Sequence, residues 1–422
     1  MQNSSKPSNY IIFSYVVLLV FSGTIDSISK KTLNLNHSLG QKFKHPFFVA
    51  FLMFLGEIVC LIFYLLGNTE NKQKKNLTEK EESMQVSQMT QQQIEENEKP
   101  ELSIKMLLIP TFLDFMATTL NTIGLTMLAG SAYQMMRGAS ILFVAILSRF
   151  YLKSKLRMFH YVAIIIVLSG LMLVGLSNHF MPAPMIKGCS LKEVENSLVW
   201  GFILVFISTF FVASQLTIEE EFTKNYKCHP LKAVGWEGVF GSAAYIVILF
   251  GLQFAKCTPP ALDKSGKAIE GLTTLMCTQN QHGEWRVEDS IFAMQQIWAS
   301  PLLLTNCIVF SLSVAAINFA GVTVTKLASA GARSITEPIR TITIWAFFMM
   351  PILNRCHREH FNFIQFIGFL FLIAGNLIYN QIVALPFSKK VEEIDVAKED
   401  EKSGANYQTI TPDGNNDKAC KV

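Results

Sequence analysis

Three arginines of this sequence lie inside long apolar stretches, where a permanent cation is costly. Arg137 lies in the stretch GSAYQMMRGASILFVAILSRFYL, and Arg333 and Arg340 lie together in a later apolar stretch. An arginine near the centre of a lipid bilayer costs roughly 2.5–3.5 kcal/mol on insertion scales, so it needs a carboxylate partner, a water-filled cavity or an anionic ligand. These side chains are therefore the first candidates for a functional site.

Four carboxylates in apolar surroundings are candidate partners of these cations. They are Asp26, Glu57, Asp114 and Glu237, on four different predicted helices. On one interpretation, the carboxylates neutralise the arginines and only hold helices together. On the other, Arg137 and Arg340 face one cavity from opposite sides and bind an anionic or zwitterionic ligand, while the carboxylates take up coupling protons. Both interpretations stay open at this level.

The later stretch has a regular spacing of charges. Arg333, Glu337 and Arg340 are four and three residues apart, so in one helix they share a face and can pair along it. Near the first arginine, Tyr133 and Gln134 have a similar spacing. The two stretches therefore present comparable polar faces.

Other polar side chains are candidates for the same cavity. Asn121 and Asn318 either line it or bond between helices. Lys326 either extends its amine to the membrane interface or attracts anions to the cavity mouth. The candidate substrate-binding residues are Arg137, Arg340, Gln134, Tyr133, Asn121, Asn318, Glu337, Arg333 and Lys326.

The elements that must position these residues are membrane helices. Half of the 422 residues are hydrophobic and 16% are charged, which excludes an ordinary soluble protein. A helix of about 20 apolar residues spans the hydrocarbon. Ten apolar stretches predict an all-α membrane protein with ten transmembrane helices, numbered here as segments one to ten: 10–28, 46–67, 106–128, 131–151, 158–176, 198–217, 233–254, 300–320, 326–350 and 361–385. The net charge of +4 resides in loops and does not indicate nucleic-acid binding.

The ten segments predict two inverted repeats. The stretches 45–67 and 229–251 both begin with His-Pro and end with glycine, and Arg137 and Arg340 precede similarly placed glycines. Segments one to five and six to ten are therefore predicted copies, and an odd number of helices in each copy gives the copies opposite orientations. Such repeats hold a substrate near the membrane midplane. The predicted repeats cover 10–176 and 198–385.

The loops predict the orientation of the chain in the membrane. Lys and Arg are more frequent on the side that includes both chain ends, so both termini are predicted in the cytosol. The cytosolic parts are the N-terminus 1–9, the loop 68–105 and the tail 386–422. The loop and the tail are polar and are predicted to be disordered. The loop 255–297 is predicted to be long and lumenal.

Two short patterns in these flanking regions have a possible cellular meaning. Cys257 and Cys277, both in the lumenal loop, either form a disulfide or remain free thiols. Tyr407 to Ile410 reads YQTI, a tyrosine-based string of the kind that endocytic adaptors bind, although such short strings also arise by chance. The sequence has no phosphate loop, Cys-x-x-Cys, HExxH or G-x-S-x-G pattern, so we expect no enzyme, cofactor or metal.

Several strings resemble solute carrier family 35, subfamily F, in the drug/metabolite transporter superfamily. They are HPFFVAFLMFLGE, YQMMRGA, EEEFTKNYKCHPLKAVGWEGVFG, NFAGVTVTK and IRTITIWA, and the similarity covers almost all of residues 10–385 in order. The resemblance implies ten helices in two inverted halves and alternating access in an endomembrane. It also implies a lysosomal, vacuolar or endosomal location. The FYNN and GALNK motifs of nucleotide-sugar carriers are absent.

The residues and the resemblance together predict a secondary transporter of a small anionic or zwitterionic organic solute, with possible proton coupling. One alternative is a Golgi nucleotide-sugar antiporter, and another is a membrane receptor or scaffold that does not transport. The expected partners are the solute, the lipid bilayer and an adaptor at the tail. Glycines 170, 175, 368 and 375 indicate close helix contacts, either within the chain or at a homodimer seam.

Overall fold

The computed structural model describes residues 9–75, 99–128, 130–151, 157–180, 195–257, 277–279, 283–328, 333, 336–350, 361–380 and 383. Within this part of the chain, the backbone is mostly helical and includes two short antiparallel hairpins. The YQTI string lies outside the described residues.

The helices are, in chain order, α1 (Asn9–Leu35), α2 (Pro46–Lys75), α3 (Leu108–Met127), α4 (Gly130–Arg137), α5 (Ser140–Phe150), α6 (Met158–Phe180), α7 (Glu195–Asn225), α8 (Pro230–Gln253), α9 (Ser290–Ala299), α10 (Pro301–Leu327), α11 (Thr336–Met349) and α12 (Phe363–Tyr379). A short 3₁₀ helix, Ile104–Leu107, leads into α3. Strand β1 (His37–Ser38) pairs with β2 (Gln41–Lys42), and β3 (Thr278–Gln279) pairs with β4 (Trp285–Arg286).

Seven helices in the described ranges are long and apolar enough to cross a membrane. They are Tyr10–Leu35, Pro46–Gly67, Ile104–Met127, Met158–Ser177, Val199–Asn225, Pro230–Gln253 and Pro301–Leu327. Segments four, nine and ten of the prediction form shorter apolar helices, Ala132–Leu147, Ile339–Met349 and Phe363–Tyr379. Seven predicted segments thus have spanning length and three fall short of the about 20 residues that a full crossing needs.

The stretch around Arg137 is not one continuous helix, so this part of the prediction is wrong. Helix α4 ends at Arg137 and α5 begins at Ser140. At the break, the Gly138 N–H donates to the carbonyl oxygen of Met135, three residues back, at 3.1 Å. Tight bonds of this kind are common where α-helices end, and glycine weakens a helix interior. Arg137 consequently lies in the last turn of α4, where the helix dipole favours a cation.

Several predicted helix ends were placed too early, including that of α1, which runs to Leu35. Helix α2 runs to Lys75, into the loop 68–105 that was predicted to be disordered, and α7 runs to Asn225. Helix α10 runs to Leu327 and contains Lys326, which the prediction gave to the next segment. Adding residues to an existing helix costs little, because nucleation is the unfavourable step, so helices extend into polar sequence that lacks proline.

The long helices pack in four extensive pairs. These are α1 with α10, α2 with α8, α3 with α7, and α6 with α12. Each pair joins a helix that precedes residue 181 to a helix that follows residue 194. The two halves of the chain are therefore interleaved and build one bundle interior.

Glycines bring α2 and α8 into close contact. Gly235, Gly238 and Gly241 recur at every third residue of α8. A Cβ atom at Gly238 would lie 2.7 Å from the Cβ of Glu57 and 2.7 Å from the backbone nitrogen of Ile58. Small residues allow membrane helices to approach closely. This contact places Glu57 directly against α8.

We expect Gly238→Ala to destabilise the protein by about 1–3 kcal/mol, because the added methyl group would overpack the α2–α8 contact. The measurement is the melting temperature of the purified protein in detergent. Gly251→Ala is the control on the same helix, since a Cβ at Gly251 would meet nothing within 4 Å. Equal melting temperatures for the two variants would contradict the close contact.

The α6–α12 pair accounts for three of the four glycines considered for a dimer seam. A Cβ at Gly170 would lie 2.7 Å from the carbonyl oxygen of Gly368, and a Cβ at Gly375 would lie 3.0 Å from that of Ala163. A Cβ at Gly175 would meet nothing within 4 Å. Gly170, Gly368 and Gly375 therefore serve contacts within the chain.

A disulfide and a backbone hydrogen bond hold the segment between α8 and α10. Cys257 and Cys277 form a disulfide with a Cα–Cα distance of 6.2 Å. Of the two alternatives that the sequence left open, the structure contains the disulfide. The backbone of the same segment returns to α8, since the Cys257 N–H donates to the Trp285 carbonyl at 2.8 Å.

A buried polar network joins this segment to the start of α2. His45 Nδ1 lies 2.5 Å from Glu288 Oε1, and its Nε2 lies 3.1 Å from Gln296 Oε1. Glu288 Oε2 accepts the Phe47 N–H at the first turn of α2, at 3.1 Å. The Gln296 amide nitrogen donates to the Ser38 carbonyl at 3.0 Å. His45 and Glu288 are 1% and 0% exposed, so the network is closed to solvent.

Candidate functional site

Four carboxylates gather inside the bundle, on helices from both halves of the chain. They are Glu57 on α2, Asp114 on α3, Glu219 on α7 and Glu237 on α8, with exposed fractions of 1%, 7%, 5% and 3%. They are close enough to interact electrostatically with one another. We call these four residues the acidic cluster.

Glu57 is held between α8 and α10. The Asn318 amide nitrogen on α10 donates to Glu57 Oε1 at 2.5 Å. The other oxygen, Oε2, is buried and has no hydrogen-bond partner among the described residues. Asn318, predicted either to line the cavity or to bond between helices, thus makes an interhelical hydrogen bond. Glu57 presents one satisfied and one unsatisfied oxygen.

Asp114 has a similar arrangement on α3. The Thr118 hydroxyl, one helical turn along, donates to Asp114 Oδ1 at 3.2 Å. Asp114 Oδ2 is buried without a hydrogen-bond partner in the described part of the chain. Lys30 of α1, which is 7% exposed, is close enough to attract this carboxylate. The buried lysine partly compensates the negative charge of the cluster.

Glu219 forms the ion pair of the cluster. Arg333 Nη1 lies 2.8 Å from Glu219 Oε2, with side-chain exposures of 16% and 6%. The Arg333 guanidinium packs against α10 at Gly321, where a Cβ would come within 2.6 Å of Arg333 Cζ. The glycine therefore makes room for the cation. Glu237 is also close enough to be attracted by Arg333.

The pairing predicted between Arg333 and Glu337 along segment nine stays a prediction, and the structure adds a partner from another helix. Arg333 lies before α11, which begins at Thr336, and it forms an ion pair with Glu219 on α7. The sequence placed Arg333 and Glu337 on one helix face because their spacing allows it, but tertiary packing offers Arg333 a buried carboxylate on α7. The side chain of Glu337 lies outside the described residues.

The other two arginines have other contacts in the described part of the chain. Arg340 is 3% exposed and packs against α1, where a Cβ at Gly23 would lie 2.7 Å from its Cδ and Nη1 atoms. Arg137 is half-buried, and its guanidinium carbon lies 5.9 Å from the centre of the Tyr133 ring. A cation in this position is attracted by the ring face.

The remaining predicted residues have separate environments. Asn121 Oδ1 accepts the Ser208 hydroxyl at 2.7 Å, which joins α3 to α7. Gln134 is 2% exposed, and its Oε1 has no hydrogen-bond partner among the residues that the structure describes. Lys326 Nζ donates to the Cys228 carbonyl at 3.4 Å, and Asp26 is half-buried near the middle of α1.

Sequence reasoning missed two members of the buried site. Glu219 was assigned to a cytosolic loop because segment six was ended at 217, and Lys30 was assigned to a lumenal loop after segment one. Both residues lie within helices, α7 and α1, and both are buried. One sequence signal could have identified both residues: no helix-breaking residue stands at the predicted helix ends. Those ends were placed too early because only the polar composition was used.

Two grooves elsewhere on the molecule have a different character. One has a volume of about 500 Å³ and is lined by Leu39, Ile291, Met294, Gln295, Trp298 and Ala299. The other, of about 320 Å³, lies between α9 and α10 and includes Trp298, Ile308 and Leu312. Both linings are mostly apolar, and exposed side chains such as Trp298, Ile308 and Leu312 contribute to them. The charged groups point to the acidic cluster instead.

Comparison with known proteins finds similarity to transporters. Residues 10–176 match the EamA-like transporter family. Solute carrier family 35 member F6 of Rattus norvegicus is 29% identical over 370 residues, covering 86% of this chain and 87% of the relative. The Homo sapiens protein of that name is 28% identical over the same shares. An uncharacterized protein of Schizosaccharomyces pombe is 28% identical over 281 residues, 67% of this chain and 75% of the relative.

Proposed function

We propose, on the premise that this chain carries an EamA-like (drug/metabolite) transporter domain and is a relative of solute carrier family 35, that it is a secondary active transporter. It carries a small anionic or zwitterionic organic solute across an endomembrane by alternating access, with protons as the coupling ion. The observation that carries the proposal is the acidic cluster. Ionisable residues within membrane helices are costly and typically mark solute or ion pathways.

The proposal includes two inverted five-helix repeats, over 10–176 and 198–385. The helix pairing supports it. Each segment of one repeat can be exchanged with its counterpart in the other, one with six, two with seven and so on. The α1–α10 pair then becomes the α3–α7 pair, and the α2–α8 and α6–α12 pairs stay the same. The same exchange converts the α5–α7 contact into the α1–α11 contact. A substrate site is expected where such repeats meet, and the acidic cluster lies on helices from both.

The charge balance of the interior favours a zwitterionic solute over a simple anion. Arg340 and Arg137 remain the proposed ligands of an acidic group, with Tyr133 and Gln134 beside them. The acidic cluster would repel an anion unless its carboxylates are protonated. Coupling to protons answers this difficulty, since protonation removes the repulsion. A receptor or scaffold that does not transport would have no use for so many buried charges.

The proposed location is a lysosomal, vacuolar or endosomal membrane, with a Golgi membrane as the alternative. Both termini would face the cytosol, where adaptors would bind Tyr407 to Ile410. The disulfide between Cys257 and Cys277 supports this orientation, because it needs an oxidising compartment such as the lumen.

Transport in proteoliposomes tests the function. The purified full-length protein is reconstituted with an entrapped pH-sensitive dye, and amino acids, organic acids and nucleotide sugars are added separately across a pH gradient. We expect at least one solute to move protons, and Glu57→Gln to reduce this flux at least tenfold, because Gln keeps the shape of the side chain but cannot ionise.

Glu284→Gln serves as the control, since Glu284 is an exposed carboxylate outside the helices. Each variant is first checked for a single elution peak and an intact melting transition. Solute uptake without proton flux would contradict the coupling. Exchange of a nucleotide sugar for a nucleoside monophosphate would favour the antiporter instead. Absence of transport for every solute would count against the function.

A further inference from the structure

We propose that Glu57 and Asp114 form the binding site for a protonated amine, so that the transported solute carries a basic group on an organic body. This inference rests on the proposed transport function and names the solute class for the same site. Its starting point is a pair of buried carboxylate oxygens, Glu57 Oε2 and Asp114 Oδ2, for which the described residues supply no hydrogen-bond partner. Both side chains are more than nine-tenths buried.

The charges around these oxygens are unbalanced. Arg333 is engaged with Glu219 at 2.8 Å, and Glu57, Asp114 and Glu237 are close enough to repel one another when ionised. Lys30 is a further cation near Asp114. With all three carboxyl groups ionised, one lysine is too little to balance their charge at this buried position. A buried negative charge is strongly stabilised by a cation that also donates hydrogen bonds.

The hydrogen-bonding capacity of the two remaining oxygens suits an ammonium group. Each carboxylate already has one accepting oxygen satisfied, Glu57 by Asn318 and Asp114 by Thr118. An ammonium has three N–H donors and no acceptor, so in the proposed site it donates to both remaining oxygens and keeps one donor for another acceptor. A hydroxyl or a neutral amide would satisfy the hydrogen bonds but not the charge.

The surroundings favour an organic cation over a metal ion. Among the described residues, no three His, Cys, Asp or Glu side chains are arranged to hold a metal. The neighbouring wall is aromatic: the Tyr245 ring lies 5.5 Å from Phe54 and 4.7 Å from Phe115, between centroids. Tyr245 is close enough to interact with Asp114. Aromatic faces attract ammonium groups and pack against the attached hydrocarbon.

The experiment measures ligand-induced stabilisation of the purified full-length protein with three probes of one skeleton. The probes are phenethylammonium, phenylalanine and phenylpropionate, which carry a cation, a zwitterion and an anion. At millimolar concentration, a ligand that binds the folded state raises the melting temperature. We expect phenethylammonium and phenylalanine to raise it and phenylpropionate to leave it unchanged.

The variants Glu57→Gln and Asp114→Asn locate the binding. Each should weaken phenethylammonium binding about tenfold, because each removes one charge-assisted hydrogen bond. Glu284→Gln, on the exposed loop, should leave binding unchanged. Stabilisation by phenylpropionate alone, no stabilisation by either amine, or binding that survives in both variants would overturn the inference. If one variant does not fold, the other gives the same comparison.

The two proposals fail in different ways. If an anion is transported and both carboxylate variants still transport it, the transport function stands and the amine site is wrong. If phenethylammonium binds through Glu57 and Asp114 but no solute is transported, the amine site stands and the transport function is wrong.

Discussion

Replacing Glu288 by alanine is expected to destabilise the protein by about 3–5 kcal/mol, the usual result of removing one member of a buried ion pair. The Gln296 amide nitrogen donates to the Ser38 carbonyl, so its Oε1 must accept from His45 Nε2. His45 Nδ1 faces a Glu288 oxygen. Both imidazole nitrogens therefore take part in the buried network, Nε2 as a donor to Gln296 and Nδ1 in the contact with Glu288.

Removal of the Glu288 carboxylate has two consequences. It leaves His45 Nδ1 buried without its Glu288 partner, and it leaves the N–H groups of Phe47 and Phe48, 3.1 and 3.4 Å from Glu288 Oε2, without this acceptor. The first turn of α2 then loses its capping carboxylate, and the helix dipole loses a favourable charge. Because α2 carries Glu57, transport should also fall.

Glu284→Ala is the matched control, four residues earlier in the same segment. Arg286 donates to Glu284 at 2.6 Å and lowers the pKa of this exposed carboxyl, but exposed pairs contribute little to stability. The melting temperature of each purified variant in detergent is the measurement. A drop for Glu288→Ala that is no larger than for Glu284→Ala would show that the network does not hold the two segments together.

The parts of the fold that follow from local composition were predictable. Long apolar runs predicted the seven helices of spanning length, and the His-Pro pairs predicted the starts of α2 and α8. The interruption after Arg137 was not, because a single glycine in an apolar run is compatible with both a continuous and a broken helix.

The charge partners were less predictable than the helices. Sequence spacing suggested Glu337 for Arg333, yet Glu219 lies 114 residues earlier in the chain. His45 was recognised as part of a helix start, while Glu288, its partner, is 243 residues away. Local spacing identifies costly charges but does not pair them, since a buried charge pairs with whatever opposite charge the fold brings to it.

The acidic cluster changes the expected chemistry of the solute but not the proposed class of function, which remains transport. The sequence drew attention to arginines and therefore to an acidic group on the solute. The fold brings together carboxylates of four helices, and two of these carboxylates keep an oxygen that no described residue satisfies. A zwitterion satisfies both observations, because its amine suits the carboxylates and its acid suits an arginine. The amine and the acid of one solute can then bind side chains of opposite charge inside the same bundle.

The second large effect is expected for Arg333→Gln, which should destabilise the protein by about 3–5 kcal/mol, because it leaves Glu219 buried without its cation. It also adds uncompensated negative charge next to Glu237. The double variant Glu219→Gln with Arg333→Gln should recover a large part of the loss, since no unpaired charge remains at that position.

Lys224→Gln is the matched control, because Lys224 pairs with Glu220 on the same helix, α7, at 2.5 Å but is 55% exposed. Its effect should stay below about 1 kcal/mol, as for other exposed pairs. The measurement is the melting temperature of four proteins: the wild type, Arg333→Gln, Lys224→Gln and the double variant. The comparison shows whether the unpaired Glu219 causes the loss of stability. If the double variant is no more stable than Arg333→Gln alone, the loss does not come from the unpaired Glu219. The guanidinium packing against Gly321 would then be the main contribution of Arg333 to stability. An additional negative charge in the acidic cluster would then cost little, which would weaken the charge argument for the amine site.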